Sequence, residues 1–352
     1  MSFVKPTFVH PGLPKNKAGY LKRDYEGAIS TLCAGCGHDS ISATIVQACY
    51  ELDIEPHQLA KLSGIGCSSK TPTYFMSNSH GFNSVHGRMP SVATGANLSN
   101  RSLKYIGVSG DGDTASIGMG QFVHAIRRNL NLTYICMNNG CYGLTKGQDS
   151  ATADFGSISK SGGGESTPFQ AIDLVGLAME LNASFVGRSF SGDKTQLLPM
   201  IKAALSHNGF AFLDVISPCV TFNNNKGSTK SYDYVRDHIE VLGAMDFVQE
   251  QEAITVDYEE GTDKVVELFD NSKIMLSKLS KDYDPTDRYA AQDRIQQAKR
   301  AGNILTGLVY VNPQSKDLHQ ILNTVETPLN KLTESDLYPG DGKLEDINKS
   351  FR

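Results

Sequence analysis

The pattern of apolar and polar positions divides the chain into a regular middle part and two irregular ends. Between residues 31 and 220, short apolar runs rich in Val, Ile and Phe alternate with stretches whose apolar residues recur at helical spacing. The first pattern is typical of buried strands and the second of amphipathic helices. The predicted strands are 59–63, 104–109, 132–137, 184–189 and 210–216, and the predicted helices are 41–52, 92–100, 117–128, 169–181 and 194–206.

Strands that alternate with helices predict a parallel sheet that is covered by helices on both faces. We therefore expect residues 31–220 to form an α/β domain with a doubly wound, mostly parallel sheet. Ligands of such sheets bind at the carboxyl ends of the strands. The residues that follow each strand are therefore the first place to look for chemistry.

The two ends of the chain lack this alternation. Residues 1–30 contain three prolines and scattered lysines without a helical period, which predicts an extended N-terminal arm. Residues 221–352 are richer in Asn, Gly and charged side chains, with one predicted helix at 287–301 and one predicted strand at 304–311. We expect this C-terminal extension to pack on the active site and on a partner subunit.

Composition and charge narrow the class of protein. The 352 residues are 39% hydrophobic and 20% charged with a net charge of -5, so no overall basic field favours nucleic acid or a membrane surface. We find no bilayer-spanning apolar run and no signal peptide, and we expect a cytoplasmic location. Seven cysteines in that compartment indicate metal or cluster ligation rather than disulfides, since cytosolic thiols are kept reduced.

Hard oxygen ligands follow two neighbouring predicted strands. Asp111 lies between Gly110 and Gly112 directly after strand 104–109, and Asn139 follows strand 132–137. Both would stand at one sheet edge, and carboxylate and amide oxygens are ligands that Mg²⁺ prefers. The glycines would let backbone N–H groups approach a diphosphate at the start of the next helix. A surface turn and an Asn-rich loop that bind nothing are the alternative.

Four cysteines also stand at the ends of predicted elements. Cys33 and Cys36 form a C-x-x-C pair ahead of a helix, Cys67 follows strand 59–63, and Cys219 follows strand 210–216. Four thiolates from separate segments can hold a cubane iron-sulfur cluster. A four-cysteine zinc site and unligated thiols remain open on spacing alone, although the two single cysteines are unlike a zinc ribbon.

Gly110-Asp111-Gly112 followed by Asn138-Asn139 resembles the diphosphate-binding motif of thiamine-diphosphate enzymes. The resemblance implies that Asp111, Asn139 and the backbone carbonyl of Cys141 hold Mg²⁺. The residues that it places at the cofactor are Gly110, Asp111, Gly112, Asp113, Asn139, Cys141, Tyr142, Gly143 and Leu144.

A wider set of motifs is similar, in order and spacing, to the beta subunit of 2-oxoacid:ferredoxin oxidoreductases over about residues 30–220. The motifs are Leu32–His38, Gly66–Lys70, His86–Arg88, Gly110–Asp113 and Tyr142–Gln148. The resemblance implies that Cys33, Cys36, Cys67 and Cys219 hold a 4Fe-4S cluster close to the thiamine. It gives Cys49, Cys136 and Cys141 no part in that cluster.

The family resemblance also implies an activity. It is the coenzyme A-dependent oxidative decarboxylation of a 2-oxoacid, or the reverse, with single electrons passed through the cluster to ferredoxin. The run Leu144–Gln148 resembles members that use 2-oxoglutarate and form succinyl-CoA, with pyruvate or a broad substrate range as the alternative. The implied substrate-site residues are Lys70, His86, Arg88, Leu144 and Lys146.

Thiamine enzymes also need a pyrimidine-binding domain, and no second strand-helix alternation follows residue 220. We therefore expect a larger alpha subunit as partner, in a heterotetramer. Two functions of other classes remain open at this point. One is a non-oxidative thiamine decarboxylase or synthase, and the other is an electron-transfer module without catalysis of its own.

Overall fold

The structure is a computed structural model that describes residues 12–162, 165–243, 246–247, 263–267, 273–277, 283–338 and 340–351. Its strands are β1 (Leu59–Ser63), β2 (His80–Asn83), β3 (Lys104–Gly110), β4 (Leu132–Asn138), β5 (Cys141–Tyr142), β6 (Gln148–Asp149), β7 (Phe185–Phe190), β8 (Phe210–Ile216), β9 (Ile239–Val241), β10 (Asp263–Glu267), β11 (Lys273–Ser277) and β12 (Ile304–Val311). Its α-helices are α1 (Gly37–Glu51), α2 (Met89–Ser99), α3 (Met119–Arg127), α4 (Leu174–Glu180), α5 (Lys194–Ser206), α6 (Tyr232–His238), α7 (Arg288–Ala301), α8 (Leu318–Leu322), α9 (Glu334–Leu337) and α10 (Asp341–Ser350).

Eight of these strands form one sheet in the order β2-β1-β3-β4-β8-β7-β12-β9. The six strands from β2 to β7 pair in parallel, while β12 runs antiparallel to β7 and parallel to β9. The central strands β4 and β8 are buried along their whole length, as expected for a sheet covered on both faces. The predicted α/β plan with a mostly parallel sheet is confirmed.

Two hydrophobic cores lie on opposite faces of the sheet. On one face α1 and α5 pack together and against the sheet, with Ile45 and Ile201 fully buried. On the other face α2, α3, α4 and α7 cover the sheet, with Phe122 in edge-to-face contact with Phe212. Burial of large apolar side chains on both faces fixes the sheet rigidly between two helical layers.

The strong apolar patterns gave nearly correct element bounds. The predicted strands 59–63, 210–216 and 304–311 and the predicted helix 194–206 have the bounds observed for β1, β8, β12 and α5. The predicted helix 169–181 is too long at its start, since α4 begins at Leu174. Asp173 caps α4 through its carboxylate, and Ile172 N–H bonds the carbonyl of Ala151 instead of continuing a helix.

The edge strands β2 and β9 were not predicted, whereas the helix at 287–301 and the strand at 304–311 were. The edge strand β2 has only exposed residues, so it carries no apolar pattern. Part of the C-terminal extension joins the main domain, because β9 and β12 extend the sheet and α7 packs on one of its faces. The domain boundary at residue 220 stays a prediction. In the described part of the chain, no helix combines the length and the apolar character needed to cross a bilayer.

Candidate functional site

The carboxyl ends of β3 and β4 bring Asp111 and Asn139 side by side. Asp111 follows β3 directly, and its Oδ1 accepts a hydrogen bond from the Asn139 N–H at 3.2 Å. Gly140 then takes a left-handed conformation with φ of 70°, and Cys141 N–H donates to Asn139 Oδ1 at 3.1 Å. The tight turn places the carboxylate, the amide oxygen and the backbone of residue 141 in one small region.

Asp111 is a buried carboxylate that is held by neutral donors. The hydroxyls of Ser150 and Thr152 both donate to its Oδ2, the second at 2.7 Å. Burial raises the pKa of Asp111, and these hydrogen bonds oppose that rise. Within the described residues the Asp111 carboxylate makes no ion pair, so a bound cation would supply the missing positive charge.

The donor set fits Mg²⁺. It offers hard oxygens from a carboxylate, an amide and a backbone carbonyl, and it leaves other positions for diphosphate oxygens and water. Asn223 supports the turn, since its Nδ2 donates to the Asn139 carbonyl at 2.8 Å. Asn223 Oδ1 is buried without a hydrogen-bond partner, which leaves one polar atom beside the turn still to be satisfied.

Tyr142 covers the Gly-Asp-Gly loop. A Cβ atom on Gly112 would lie 2.3 Å from the Tyr142 ring, so a side chain at position 112 would displace the ring. The Tyr142 hydroxyl also donates to the Gly112 carbonyl at 3.4 Å. After this loop the chain continues through a π-helical turn, Asp113–Ile117, before α3 begins. Turns of this kind occur often at functional sites.

The four cysteines of the predicted cluster lie near one another and are all free thiols. Cys36 and Cys67 both lie within electrostatic range of Cys219, and Cys67 also lies within range of Cys33. A Cβ atom built on Gly143 would stand 3.5 Å from Cys67 Sγ and 3.7 Å from Cys219 Sγ. The loop that follows Asn139 therefore lies directly against the thiols.

Thiol, hydroxyl and backbone N–H groups lie close to the sulfur atoms of Cys219 and Cys33. The Cys219 sulfur accepts a hydrogen bond from the Cys141 thiol and from the N–H groups of Phe222, Thr221 and Asn223, and these bonds lower the pKa of Cys219 to about 6 although burial opposes them. The Thr221 hydroxyl donates to Cys33 Sγ at 3.3 Å. Donors of this kind stabilise thiolates that ligate an iron-sulfur cluster.

A single metal ion and a cubane cluster need different spacings of their thiolate ligands. In the part of the chain that the structure describes, no three His, Cys, Asp or Glu side chains converge closely enough to hold one metal ion. A zinc ion needs four ligands at short distance around one point, whereas a cubane carries an iron at each of four corners and separates its thiolates. The assignment of these four thiols to a 4Fe-4S cluster stays a prediction.

One cleft is lined both by the oxygen ligands and by Cys67, one of the four cysteines of the predicted cluster. Asp111 and Asn139 line it on one side and Cys67 on the other, with Tyr142 and Leu144 from the connecting loop. Gly110, Gly112, Asp113, Cys141 and Gly143 complete the predicted cofactor residues, and all of them line this cleft. His38 also lines it, with Nδ1 bonded to the Ser217 hydroxyl at 2.6 Å. Burial lowers the pKa of His38 to about 4, so its ring is neutral at pH 7.

The predicted substrate residues divide into two groups. His86 and Leu144 line the cleft. Lys70, Arg88 and Lys146 are exposed and lie outside its lining. Burial raises the pKa of the Cys67 thiol, and Lys70 lies close enough to oppose part of that rise. Their roles stay predictions.

Three residues of the site carried no signal in the sequence. Ser150 and Thr152 hold Asp111 from a loop about forty residues downstream, and Asn223 holds the Asn139 turn from beyond the last parallel strand. Small hydroxyl and amide residues in loops form no pattern that distinguishes them from ordinary polar surface. An Asn-rich stretch after Thr221 was visible but had no assigned role.

The cleft can be compared with known proteins. Residues 64–215 match the family model described as the C-terminal TPP-binding domain of thiamine pyrophosphate enzymes. This range begins directly after β1 and runs from β2 to the penultimate residue of β8, and it includes Asp111 and Asn139. A solved structure of 2-oxoglutarate:ferredoxin oxidoreductase from Magnetococcus marinus, with 2-oxoglutarate, coenzyme A and succinyl-CoA bound, superposes with a TM-score of 0.73 at 28% identity. That comparison covers 96% of this chain and 99% of the other.

Curated relatives are similar over the central part of the chain. The 2-oxoglutarate oxidoreductase subunit KorB of Mycobacterium tuberculosis is 40% identical over 58% of this chain and 52% of its own length. The 2-oxoacid:ferredoxin oxidoreductase subunit beta of Saccharolobus solfataricus is 42% identical over 54% of this chain and 63% of its own length. The chain thus spans between half and two thirds of these two relatives.

A third relative is matched over most of its length. The 2-oxoglutarate synthase subunit KorB of Methanothermobacter marburgensis is 37% identical over 216 residues, which are 60% of this chain and 73% of the relative. This identity, the shared thiamine-binding domain and the fold agree with the motifs in the sequence. The chain belongs to the beta subunits of the 2-oxoacid:ferredoxin oxidoreductases.

Proposed function

We propose that this chain is the catalytic beta subunit of an enzyme that decarboxylates a 2-oxoacid oxidatively and passes the acyl group to coenzyme A, or runs the reverse reaction. One observation carries the proposal: Asp111 and Asn139 share a single cleft with Cys67, next to Cys219. This would set a site for thiamine chemistry beside a site for one-electron transfer.

The oxygen ligands would hold the thiamine. Asp111, Asn139 and the carbonyl of Cys141 would bind Mg²⁺, which neutralises the diphosphate. When bound, thiamine diphosphate supplies the carbanion that adds to the keto carbon and stores electrons after carbon dioxide leaves. Gly110 and Gly112 would let the loop backbone approach the diphosphate, and the Tyr142 ring packs against Gly112.

The four thiols would hold the 4Fe-4S cluster. Cys33 and Cys36 come from the loop before α1, Cys67 from the loop after β1 and Cys219 from the segment after β8. A cluster accepts one electron at a time, so it can pass the two electrons of the oxidation singly to ferredoxin. The hydrogen bonds that converge on Cys219 would set how readily the cluster is reduced.

The substrate is proposed to be 2-oxoglutarate. Two of the relatives above are named for 2-oxoglutarate, and the Magnetococcus marinus structure holds 2-oxoglutarate and succinyl-CoA. The Saccharolobus solfataricus relative is named for 2-oxoacids in general, which keeps a broad range or pyruvate as the alternative. Lys70, Arg88 and Lys146 are the cations that could meet a second carboxylate.

The enzyme is proposed to need a larger alpha subunit that carries the pyrimidine-binding domain, together with ferredoxin as electron acceptor. The test is to purify the chain with its natural partner without oxygen and to measure dye reduction with coenzyme A. We expect 2-oxoglutarate to give the highest kcat/KM among 2-oxoglutarate, pyruvate and branched 2-oxoacids. Asp111→Ala should abolish dye reduction and leave the iron content unchanged. Full 2-oxoacid oxidation by Asp111→Ala, or by the isolated chain alone, would refute the proposal.

A further inference from the structure

Asp113 is a buried carboxylate that joins three loops at the rim of the cleft. Its Oδ1 accepts hydrogen bonds from Gly87 N–H at 2.8 Å and from His86 Nδ1 at 3.1 Å. Its Oδ2 accepts from the Ser109 hydroxyl at 3.3 Å and from Ile65 N–H at 3.4 Å. Both oxygens of Asp113 are therefore engaged by the protein itself.

Two glycines let the backbone close around this carboxylate. Gly87 has φ of 67°, and a Cβ atom there would lie 2.6 Å from the backbone nitrogen of Gly118. A Cβ atom on Gly64 would lie 1.9 Å from Asp113 Oδ2. Neither position has room for a side chain while the loops hold Asp113. The contact is built into the backbone and does not depend on one flexible side chain.

The contact decides which atom of His86 faces the cleft. A carboxylate on one ring nitrogen fixes both the proton position and the orientation of an imidazole. With Nδ1 directed at buried Asp113, the opposite nitrogen, Nε2, is the one left for a ligand. The His86 side chain is 54% exposed and lines the cleft, and within the described residues its ring makes its hydrogen bond through Nδ1, which leaves Nε2 for a ligand.

We propose that Asp113 is a positioning residue that presents His86 Nε2 to the 2-oxoacid, and that Nε2 hydrogen-bonds an oxygen of that acid. The inference rests on the proposed function of the cleft and adds a residue pair to it. Asp113 acts only through His86 and through the loop that carries it, without touching the substrate. His86 is the residue that contacts the acid.

The test uses two replacements of His86 that each keep one nitrogen position. Asn places its amide near Nδ1 and keeps the bond to Asp113, whereas Gln places its amide near Nε2 and faces the cleft. In the assembled enzyme, His86→Asn should lower kcat/KM for the 2-oxoacid by about 10- to 100-fold, the range for one lost hydrogen bond to a charged group. His86→Gln should retain most of it.

A double-mutant cycle separates positioning from a general structural role. Asp113→Asn alone should also lower kcat/KM, and His86→Asn combined with Asp113→Asn should be no worse than His86→Asn alone. The dissociation constant of the 2-oxoacid for thiamine-free enzyme, measured by calorimetry, should rise by a similar factor in His86→Asn, in Asp113→Asn and in the double variant. If Asp113→Asn fails to assemble, the comparison of Asn with Gln at position 86 still decides.

Two results would overturn the inference while the proposed function stands. In both, the wild-type enzyme is active. In the first, the losses of kcat/KM caused by His86→Asn and by Asp113→Asn multiply in the double variant. In the second, His86→Asn and His86→Gln have equal activity. A wild-type enzyme that binds no thiamine diphosphate and oxidises no 2-oxoacid would overturn the proposed function and this inference with it.

Discussion

At the scale of single residues, the hydroxyl of Thr152 shows how the site orients a metal ligand from outside. Its Oγ1 lies 2.7 Å from Asp111 Oδ2 and 3.0 Å from Asn138 Oδ1, so its one hydrogen bonds the carboxylate or the amide oxygen at the start of the Asn139 turn. Groups that hold a ligand in place contribute strongly to metal affinity although they do not touch the metal.

Thr152→Val removes this hydroxyl and keeps the shape of the side chain. We expect the affinity for Mg²⁺ in the presence of thiamine diphosphate to fall about 10- to 100-fold. Thr133→Val is the matched control, since Thr133 is a buried threonine whose hydroxyl bonds the Ala204 carbonyl away from the cleft. Calorimetric titration of both variants measures the difference. Equal Mg²⁺ affinity in the two variants would contradict this role of Thr152.

The sequence predicted the residues that follow strong strands and missed those that hold them. Asp111 and Asn139 stand directly after apolar strands, so their position at the sheet edge followed from topology alone. Ser150 and Thr152 reach the same site from a loop whose path depends on the folded chain. Asp113 was predicted beside the cofactor, whereas its bonds to His86 and Gly87 are visible only in three dimensions.

At the scale of elements, the Gly-Asp-Gly loop after β3 packs closely against the ring of Tyr142. Gly112→Ala should push the Tyr142 ring away, because the new Cβ atom would lie 2.3 Å from it. We expect weaker binding of thiamine diphosphate, measured by retention after gel filtration. Gly95→Ala is the control, since Gly95 lies inside α2 with no neighbouring atom near its Cβ position.

The control replacement should leave cofactor binding unchanged and raise the free energy of unfolding by about 0.5–1 kcal/mol, because alanine favours a helix interior over glycine. Normal cofactor retention in Gly112→Ala would show that the loop does not need Tyr142 in its observed place. A loss of retention in Gly95→Ala would show that the assay reports general damage.

Arg188 on β7 forms ion pairs with the start of α4 and with β8. It pairs with Asp173, the N-cap of α4, at 2.6 Å and with Asp214 of β8 at 2.9 Å. Arg188→Met leaves the buried Asp214 without this partner and the half-buried Asp173 with Lys299 alone, and we expect a loss of about 3–5 kcal/mol in the free energy of unfolding at pH 7. Arg294→Met, which breaks a more exposed pair with Glu240, should cost less than about 1 kcal/mol. Chemical denaturation of both variants measures the contrast.

The loss in Arg188→Met should also depend on pH. Burial alone would raise the pKa of Asp173, but Arg188 and Lys299 hold it well below its ordinary value. A depressed carboxyl pKa stabilises the folded state above the pKa of the unfolded chain, and this stabilisation is lost as the pH falls through the folded pKa. The difference between wild type and Arg188→Met should therefore shrink on acidification below about pH 4. A difference that grows towards acid would contradict this account.

The bounds of elements were predictable where burial is complete and unpredictable where it is not. β8 is buried along its whole length, so its apolar run identified it. β2 is exposed at every position, so it leaves no apolar pattern in the sequence. The first turn of the predicted helix at 169 was replaced by a capped start at Leu174, since tertiary bonds to the 151 region overrode a weak local pattern.

At the scale of the whole molecule, the C-terminal segment leaves apolar side chains in solvent. Leu344 and Ile347 on α10 are 64% and 54% exposed, and Leu337 on α9 is similarly exposed. Contiguous exposed apolar side chains mark interaction surfaces more often than they mark free surface. This is consistent with the proposed contact of the C-terminal extension with an alpha subunit.

Replacing Leu344 and Ile347 by Asp should weaken assembly with the alpha subunit, because two charges would have to be buried at the contact. The melting temperature of the chain alone should not change, since neither side chain is buried within it. Co-purification of the two subunits measures the effect, with Asn348→Asp as a polar control on the same helix. Unchanged assembly would place the subunit contact elsewhere on the chain.

The proposed enzyme unites a thiamine site and an iron-sulfur cluster at one cleft, and electron transfer between these two centres is the most direct test of that proposal. The assembled enzyme, prepared without oxygen, is mixed with 2-oxoglutarate in the absence of coenzyme A and ferredoxin, and the cluster is followed by electron paramagnetic resonance. We predict that the 2-oxoacid reduces the cluster in wild type and fails to reduce it in Asp111→Ala, whose cluster dithionite still reduces. A wild-type cluster that dithionite reduces and no 2-oxoacid reduces would contradict the account.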